Sequence, residues 1–235
     1  DWEGDPKCKG YSRQRNRSQM HLYEISLYMG YWSNRATYFL KRSPDLPTQL
    51  AIRTFLRAGD TFVDIGGNEG MISLLASFVV GPAGKVIAFE PNPNVVPRFK
   101  ANLERNRIAN VRLEEVGLGS VDATLELTVP YINSGEGSFG QPKYDVGEVY
   151  KVNCAIRRGD DLLAGEIPRL MKIDVEGFEY QVLQGLGITL QKHKPSVIME
   201  MYSSHLKGAG SSIAEIVGLM SDAGYVPFEL SVRSR

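Results

Sequence analysis

A loop that combines glycines with carboxylates, TFVDIGGNEGMISLLA at residues 61–76, restricts the fold of this chain more than any other segment. Its apolar run, glycines and helical pattern follow the strand, turn and helix order of nucleotide-binding α/β proteins. Asp64 ends the apolar run and Glu69 lies among the glycines. Because carboxylates repel phosphates in a poorly solvated site, the loop predicts a nucleotide-like ligand that is not held through a phosphate.

Short apolar runs alternate with helical patterns along most of the chain. Predicted strands cover residues 61–65, 85–90, 110–118, 169–175, 196–201 and 225–232. Predicted helices cover residues 45–56, 71–80, 94–106, 178–191 and 212–224. Short, continuously apolar strands separated by helices are typical of parallel sheets with helices on both faces. The sequence therefore predicts an α/β fold with a doubly wound, mostly parallel sheet.

Two parts of the chain depart from this alternation. Segments 123–130 and 149–156 alternate apolar and polar residues on either side of a loop rich in Gly, Ser and Asn, which predicts an inserted β-hairpin or loop. Residues 1–45 are basic and then aromatic, and we expect an N-terminal helical arm that serves as a lid or as an oligomer contact, for example in a homodimer. Residues 46–235 then form the ligand-binding domain, with its insertion at about 123–156.

Charge and cysteine content limit the classes of partner. Lys plus Arg and Asp plus Glu number 27 each, so no global field attracts nucleic acid or an anionic membrane. Cys8 and Cys154 are too few for a disulfide framework and lack the spacing of a metal site. No apolar run in the sequence approaches the length of a membrane span. We expect a cytoplasmic protein that binds neither a membrane nor nucleic acid.

Four carboxylates close predicted strands, namely Asp64, Glu90, Asp174 and Glu200. The strands of an open α/β sheet end at one edge, where ligands bind, so we expect a cationic group near these side chains. The loop reads Asp-x-Gly-x-x-x-Gly, which differs from the dinucleotide fingerprint and disfavours an NAD-dependent oxidoreductase. A carboxylate beside glycines suits an ammonium group, and Glu90 can accept hydrogen bonds from both ribose hydroxyls. These features together describe S-adenosylmethionine.

Four motifs extend this interpretation. They are FVDIGGNEG (62–70), VIAFEPNP (86–93), KIDVEGFEYQVLQGL (172–186) and PSVIMEMY (195–202). Over roughly residues 45–230 they resemble the FkbM family of S-adenosylmethionine-dependent methyltransferases, a class I, Rossmann-like group. The resemblance implies O-methylation of a hydroxyl on a small molecule or glycan, such as a polyketide, a sugar or another secondary metabolite. The alternative is a nucleoside-binding or scaffold domain that keeps the fold without catalysis.

The resemblance also implies roles for individual residues. Matched by position, the cofactor loop comprises Asp64, Gly66, Gly67, Asn68 and Gly70, the ribose acid is Glu90, and the segment beside the adenine contains Glu115, Val116 and Leu118. The family often has alanine where Gly67 stands, which changes little chemically. Class I enzymes usually end with a seventh, antiparallel strand. This sequence ends at Arg235, soon after the sixth predicted strand, so we expect another strand to cover that edge or the seventh to lie outside the sequence.

Methyl transfer to an alcohol needs a base near the methyl group, because an alcohol is a poor nucleophile. Asp174 is the first candidate, since the fourth strand ends there and the family motif matches. Glu176 is the second candidate, although it alternatively caps the following helix, and His205 is the third. A divalent cation bound by Asp174, Glu200 and His205 is the less favoured alternative. The candidate contacts to the acceptor are Ser138, Glu200 and Tyr202.

Overall fold

The computed structural model describes residues 9–14, 23–40, 45–140 and 147–230, and within them it contains ten strands and nine α-helices. The strands are β1 (Lys9–Gln14), β2 (Tyr23–Tyr28), β3 (Thr61–Ile65), β4 (Lys85–Phe89), β5 (Val111–Glu114), β6 (Gly117–Gly119), β7 (Ala123–Pro130), β8 (Val149–Arg158), β9 (Leu170–Ile173) and β10 (Ser196–Met199). The helices are α1 (Trp32–Leu40), α2 (Leu46–Phe55), α3 (Met71–Val80), α4 (Val96–Arg105), α5 (Gly159–Leu162), α6 (Glu179–Gly185), α7 (Gly187–His193), α8 (Ser203–Gly208) and α9 (Ile213–Asp222).

The central sheet consists of five parallel strands in the order β10-β9-β3-β4-β5. Successive residues of its strands point to opposite faces. Phe62 belongs to a buried cluster with residues of α2 and α3, whereas Val63 and Ile65 belong to a second cluster with residues of α6, α7, α8 and α9. Helices therefore cover both faces, and the predicted α/β fold with a doubly wound, mostly parallel sheet is confirmed.

The inserted segment forms a β-hairpin. Strands β7 and β8 pair antiparallel from Ala123 opposite Ile156 to Pro130 opposite Val149. Strand β6 joins them in a separate three-stranded sheet, where it runs parallel to β8. The single strand predicted over 110–118 is two strands, because the chain leaves the central sheet after β5 and enters the second sheet at β6.

The N-terminal arm is not purely helical. Strands β1 and β2 pair antiparallel before the helix α1 begins, which corrects the expected helical arm. Ile25, Leu27 and Met29 alternate with more polar neighbours and pack against Met71 of α3. This burial gives β2 a period of two residues, which suits a strand and not a helix. Arm residues 1–8, 15–22 and 41–44 lie outside the described residues.

The C-terminal part differs from the prediction in two places. The helix predicted over 178–191 is divided into α6 and α7 at Leu186. Residues 225–230 of the predicted last strand form no strand, and residues 231 and 232 lie outside the described residues. An alternating pattern favours a strand, but the strand forms only where a partner edge supplies hydrogen bonds. In the described part of the chain, no helix is both long and apolar enough to cross a membrane.

Candidate functional site

A cleft lies where β3, β4 and β9 end. Gly66 and Asn68 line it from the loop after β3, and Glu90 lines it from the end of β4. The turn after β9 contributes Asp174 and Glu176. The hairpin insertion covers another side of the cleft through Ser134, Gly135, Gly137 and Phe139, and apolar walls come from Phe89, Leu118 and Phe178. The cleft thus lies at the edge of the sheet where the sequence predicted the ligand.

Glycine is required in the loop after β3 because the chain passes close to other groups there. Gly66 has φ of +82°, and a Cβ atom on it would lie 1.9 Å from the carbonyl oxygen of Asp174. Gly70 has φ of +84°, and its Cβ would lie 2.3 Å from the ring of Phe99. The backbone amides of Gly66 and Gly67 both donate to the carbonyl oxygen of Phe89 at 3.0 Å. Of these three glycines, only Gly66 lines the cleft, while the other two shape the loop.

The carboxylate of Glu90 is held by two backbone amides. Oε2 accepts from Asn68 N at 2.8 Å, and Oε1 accepts from Asn92 N at 2.9 Å. Burial raises the pKa of Glu90 to about 7, although both amide hydrogen bonds act to lower it. Each oxygen keeps a further lone pair, so the side chain can accept two more hydrogen bonds from a ligand with adjacent hydroxyls.

Asp64 lies beneath the loop and not at the mouth of the cleft, where we expected it. The residue is completely buried. Its Oδ2 accepts a hydrogen bond of 2.6 Å from the hydroxyl of Ser73 on α3, and its Oδ1 lies 3.6 Å from Lys172 Nζ. Burial raises the pKa of Asp64, while Lys172 and Ser73 oppose this shift. The side chain therefore acts on the cleft through its neighbours.

Lys172 is the cationic group that the row of strand-terminal carboxylates requires, and the sequence reasoning missed it. Its Nζ lies 3.2 Å from Asp174 Oδ2 and donates to the carbonyl oxygen of Gly66 at 3.1 Å. The residue is only 6% exposed. The signal in the sequence was a single lysine inside the apolar strand RLMKIDV. Such a lysine is rarely buried unless it is paired.

Glu69, the second carboxylate of the loop, connects the N-terminal arm to the loop and is not part of the cleft lining. Its Oε1 lies 2.7 Å from Arg98 Nε on α4, and its Oε2 accepts from Asn34 Nδ2 on α1 at 3.1 Å. Asn102 Nδ2 donates to the backbone carbonyl of Glu69 at 2.9 Å. Trp32 Nε1 of the same helix α1 donates to Glu136 in the insertion at 3.3 Å. The arm, the loop and the insertion are therefore connected.

The second and third catalytic candidates lie together. Glu176 Oε2 is 2.9 Å from His205 Nδ1, and Glu176 has a left-handed backbone with φ of +52°. Burial and then the neighbouring carboxylates, Asp174 and Glu200 foremost, raise the pKa of Glu176 to about 8. It is Glu179 whose Oε1 accepts hydrogen bonds from the backbone amides at 175 and 177 before α6. The N-cap residue of α6 is Phe178, so Glu176 does not occupy the capping position considered for it.

The three candidate acceptor contacts, Ser138, Glu200 and Tyr202, are not among the residues that line the cleft. Ser138 Oγ donates to the carbonyl oxygen of Glu176 at 2.7 Å. The rings of Tyr202 and His205 are 5.3 Å apart. A hydrogen bond with Glu200 raises the pKa of Tyr202 to about 12. Within the described ranges, no three His, Cys, Asp or Glu side chains are grouped as a metal ion requires, so Asp174, Glu200 and His205 form no such set.

Two of the three candidates for adenine contact lie outside the cleft lining. Glu115 is exposed and pairs with Lys100 on α4 at 2.5 Å. Val116 packs against the larger core cluster. Leu118 is buried and lines the cleft beside Gly117, which the position-by-position match had not included. The apolar contact on this side therefore comes from β6.

Comparison with known proteins places these features in a family. The family model described as Methyltransferase FkbM domain matches residues 64–227. Methyltransferase 1 of Beauveria bassiana is 33% identical over 166 residues, which cover 62% of this chain and 66% of that protein. Hexuronic acid methyltransferase AglP of Haloferax volcanii is 30% identical over 220 residues, which cover 88% of this chain and 82% of that protein.

A solved structure supports the same fold. The methyltransferase FkbM from Methylobacillus flagellatus KT superposes with a TM-score of 0.51 at 17% identity, covering 72% of this chain and 39% of that one. The chain therefore spans about two thirds of the Beauveria bassiana relative and well under half of the solved protein. The family match includes the loop after β3, the end of β4 and the turn after β9, which together line the cleft. The chain belongs to the FkbM methyltransferase family.

Proposed function

We propose that the chain is an S-adenosylmethionine-dependent O-methyltransferase that acts on a hydroxyl of a small molecule or glycan. One observation carries the proposal: a single cleft is lined by Glu90, whose two oxygens are held by backbone amides, and by Glu176, which is paired with His205. The Glu90 carboxylate suits the two hydroxyls of a ribose, and the Glu176 carboxylate suits removal of a proton from an acceptor hydroxyl. A nucleoside cofactor and a base in one cleft are what such a reaction needs.

The chemistry of the cleft lining suits S-adenosylmethionine. Glu90 would hold the ribose, and Phe89 and Leu118 would contact the adenine. Gly66 and Asp174 would hold the amino-acid end, where a carbonyl oxygen and a carboxylate suit an ammonium group. When bound, this cofactor supplies an electrophilic methyl group on a sulfonium sulfur.

Glu176, and not Asp174, is the base that the geometry favours. Asp174 Oδ2 is 3.2 Å from Lys172 Nζ, so its carboxylate is already engaged by a buried cation. The pKa of Glu176, at about 8, is close to the working pH of a cell and so suits proton transfer. Glu176 would take the proton of the acceptor hydroxyl as the methyl carbon exchanges its bond to sulfur for a bond to the acceptor oxygen, which leaves S-adenosylhomocysteine. His205 would hold the Glu176 carboxylate in place.

The charge around Glu176 favours an uncharged or cationic acceptor. Asp174, Glu200 and Glu136 all raise the pKa of Glu176, which means that they place a negative potential on this part of the cleft. A carboxylate on the acceptor would be repelled there. The relative named for hexuronic acid is similar to this chain over most of its length, so glycans remain within the proposed class. We therefore propose neutral sugars or amino sugars before uronic acids.

The test is calorimetric titration of the purified chain with S-adenosylmethionine and, separately, with NADH. Micromolar binding of S-adenosylmethionine is the expected result. Incubation with paired hydroxylated acceptors, such as a hexose, its amino sugar and its hexuronic acid, should then give a methylated product detected by mass spectrometry. Binding of NADH alone would favour the oxidoreductase alternative. Binding of neither ligand would contradict the proposal and favour a scaffold domain.

A further inference from the structure

Lys172 and Asp64 are lateral neighbours in the central sheet. The two residues are Cα partners in the parallel pairing of β3 with β9, and the next pair along is Ile65 with Ile173. Because side chains alternate along each strand, Lys172 and Asp64 share the face that packs against α3. Lys172 Nζ lies 3.6 Å from Asp64 Oδ1, and both residues are buried. The pairing register of β3 with β9 therefore places Lys172 and Asp64 side by side.

The same ammonium group also joins the two loops that line the cleft. Nζ donates to the carbonyl oxygen of Gly66, which belongs to the loop after β3, and lies 3.2 Å from Asp174 Oδ2, which belongs to the turn after β9. These two loops already touch closely, since a Cβ on Gly66 would lie 1.9 Å from the Asp174 carbonyl oxygen. Lys172 therefore contacts both loops and holds them next to each other.

We propose that Lys172 is a positioning residue for the amino-acid end of S-adenosylmethionine, an inference that rests on the proposed function. It holds the Gly66 carbonyl oxygen and the Asp174 carboxylate side by side. Its single ammonium group contacts the carboxyl groups of both Asp64 and Asp174. Of these two, Asp174 lines the cleft, so its carboxylate would meet the ammonium group of the ligand.

The charge state of Asp64 depends on Lys172. Burial alone would lower the pKa of Lys172, but Asp174 and Asp64 raise it above its ordinary value, so the side chain is charged. Four groups surround Asp64. They are Lys172 on β9, the Ser73 hydroxyl on α3, Asp174 in the turn after β9 and Glu90 at the end of β4. Among these neighbours only Lys172 is cationic. Removal of Lys172 therefore raises the pKa of Asp64 further.

The experiment compares three ligands on the full chain and on Lys172→Met. S-adenosylmethionine and S-adenosylhomocysteine both carry the amino-acid end, whereas 5′-methylthioadenosine lacks it. Calorimetric titration should show that Lys172→Met weakens binding of the first two by about 10- to 100-fold, as expected for a lost buried charged hydrogen bond. Binding of 5′-methylthioadenosine should change by less than about twofold. A general loss of folding would weaken all three ligands alike.

Binding measured over a series of pH values separates the effect of the Lys172 charge from the effect of its packing. In Lys172→Met, binding of S-adenosylmethionine should tighten as pH rises, because Asp64, buried behind the loop, adds its negative charge to the site only after it loses its proton. The double variant Lys172→Met with Asp64→Asn should bind S-adenosylmethionine weakly at every pH, since the asparagine side chain does not titrate. The matched control is Lys85→Met. It removes a lysine that pairs with Glu166 at the end of β4 away from the cleft. This control should bind all three ligands as the unaltered chain does.

The outcomes distinguish the inference from the proposed function. If Lys172→Met is folded and binds all three ligands equally weakly, or as tightly as the unaltered chain does, the positioning role is overturned. Binding of S-adenosylmethionine by the unaltered chain still supports the proposed function in that case. If the unaltered chain binds none of the three ligands, both fail together. If Lys172→Met does not fold, the double variant decides: selective loss of the two ligands with an amino-acid end supports the role, and unaltered affinity for them contradicts it.

Discussion

His205 Nδ1 lies 2.9 Å from Glu176 Oε2, so the two side chains form a pair beside the cleft. The pair joins the turn after β9 to helix α8, which follows the next strand of the sheet. Glu176 is 21% exposed and His205 22% exposed at their side chains, so solvent screens the pair only in part. A carboxylate with a raised pKa beside an imidazole is well placed to accept a proton from a hydroxyl.

Activity should rise with pH through the pKa of Glu176. The carboxylate accepts a proton only when it is ionised, and its pKa is raised to about 8, so kcat/KM should increase to a plateau with a midpoint near that pH. Glu176→Gln should lower kcat by about 10²- to 10⁴-fold and leave the Kd of S-adenosylmethionine within about twofold. The control is Glu104→Gln on the exposed side of α4. If Glu176→Gln keeps the pH profile of the unaltered chain, another residue is the base.

Glu90→Gln should weaken binding of S-adenosylmethionine by about tenfold or more. Both carboxylate oxygens of Glu90 accept from backbone amides, so the amide nitrogen of glutamine would face either Asn68 N or Asn92 N, donor against donor. Calorimetric titration measures the change. Glu115→Gln is a matched control, because Glu115 is exposed and pairs with Lys100 outside the cleft lining. If the two substitutions weaken binding equally, Glu90 does not bind the ribose.

Gly66→Ala should destabilise the fold far more than Gly187→Ala. Gly66 has φ of +82°, and its Cβ would meet a backbone carbonyl at 1.9 Å, which a side-chain movement cannot relieve. We expect a loss of about 2–4 kcal/mol in the free energy of unfolding, measured by denaturant titration. The Cβ of Gly187, at the start of α7, has no heavy atom of the described residues within 4 Å, so alanine should be neutral or slightly stabilising there. Similar losses for both variants would contradict this account.

The elements of the central sheet could be predicted because their patterns are local. The runs that became β3, β4, β9 and β10 are short and apolar, and a glycine, a proline or a carboxylate ends each of them. Strand β2 was missed, although Ile25, Leu27 and Met29 alternate, because the aromatic residues around them were interpreted as part of a helical arm. The segment after α9 alternates in the same way without forming a strand at 225–230. Alternation alone does not supply a partner edge.

The site was predictable where a residue ends a strand and unpredictable where a tertiary contact decides its role. The places of Glu90 and Asp174 in the cleft lining could be predicted because the carboxyl ends of parallel strands share one edge. Lys172 was missed, since its partner Asp64 is far away in sequence and only the register of β3 with β9 makes them neighbours. Asp64 was identified, but its burial beneath the loop depends on Ser73 and Lys172. Sequence position therefore indicates the edge of the sheet but not the depth of a side chain.

Arg98→Met should destabilise the chain, and more so at higher pH. Glu69 is nearly buried and pairs with Arg98 at 2.7 Å, so the substitution leaves a buried carboxylate without its cation, at a cost of about 3 kcal/mol near neutral pH. Burial already raises the pKa of Glu69 against the opposing effect of Arg98, and loss of Arg98 raises it further above the unfolded value. The protonated form is then favoured in the folded state, so stability is retained below the unfolded pKa and lost as pH rises.

Denaturant unfolding of Arg98→Met at pH 5 and pH 8 measures this dependence, with Lys100→Met as the matched control. Lys100 is on the same helix α4, and both it and its partner Glu115 are about half exposed, so its loss should change stability by less than about 1 kcal/mol at either pH. A further variant, Arg98→Met with Glu69→Gln, should be more stable than Arg98→Met alone at pH 8, because no buried charge remains. If Arg98→Met loses the same free energy at both pH values, the loss comes from packing against Tyr31, whose ring lies 5.5 Å from the guanidinium, and not from the charge of Glu69.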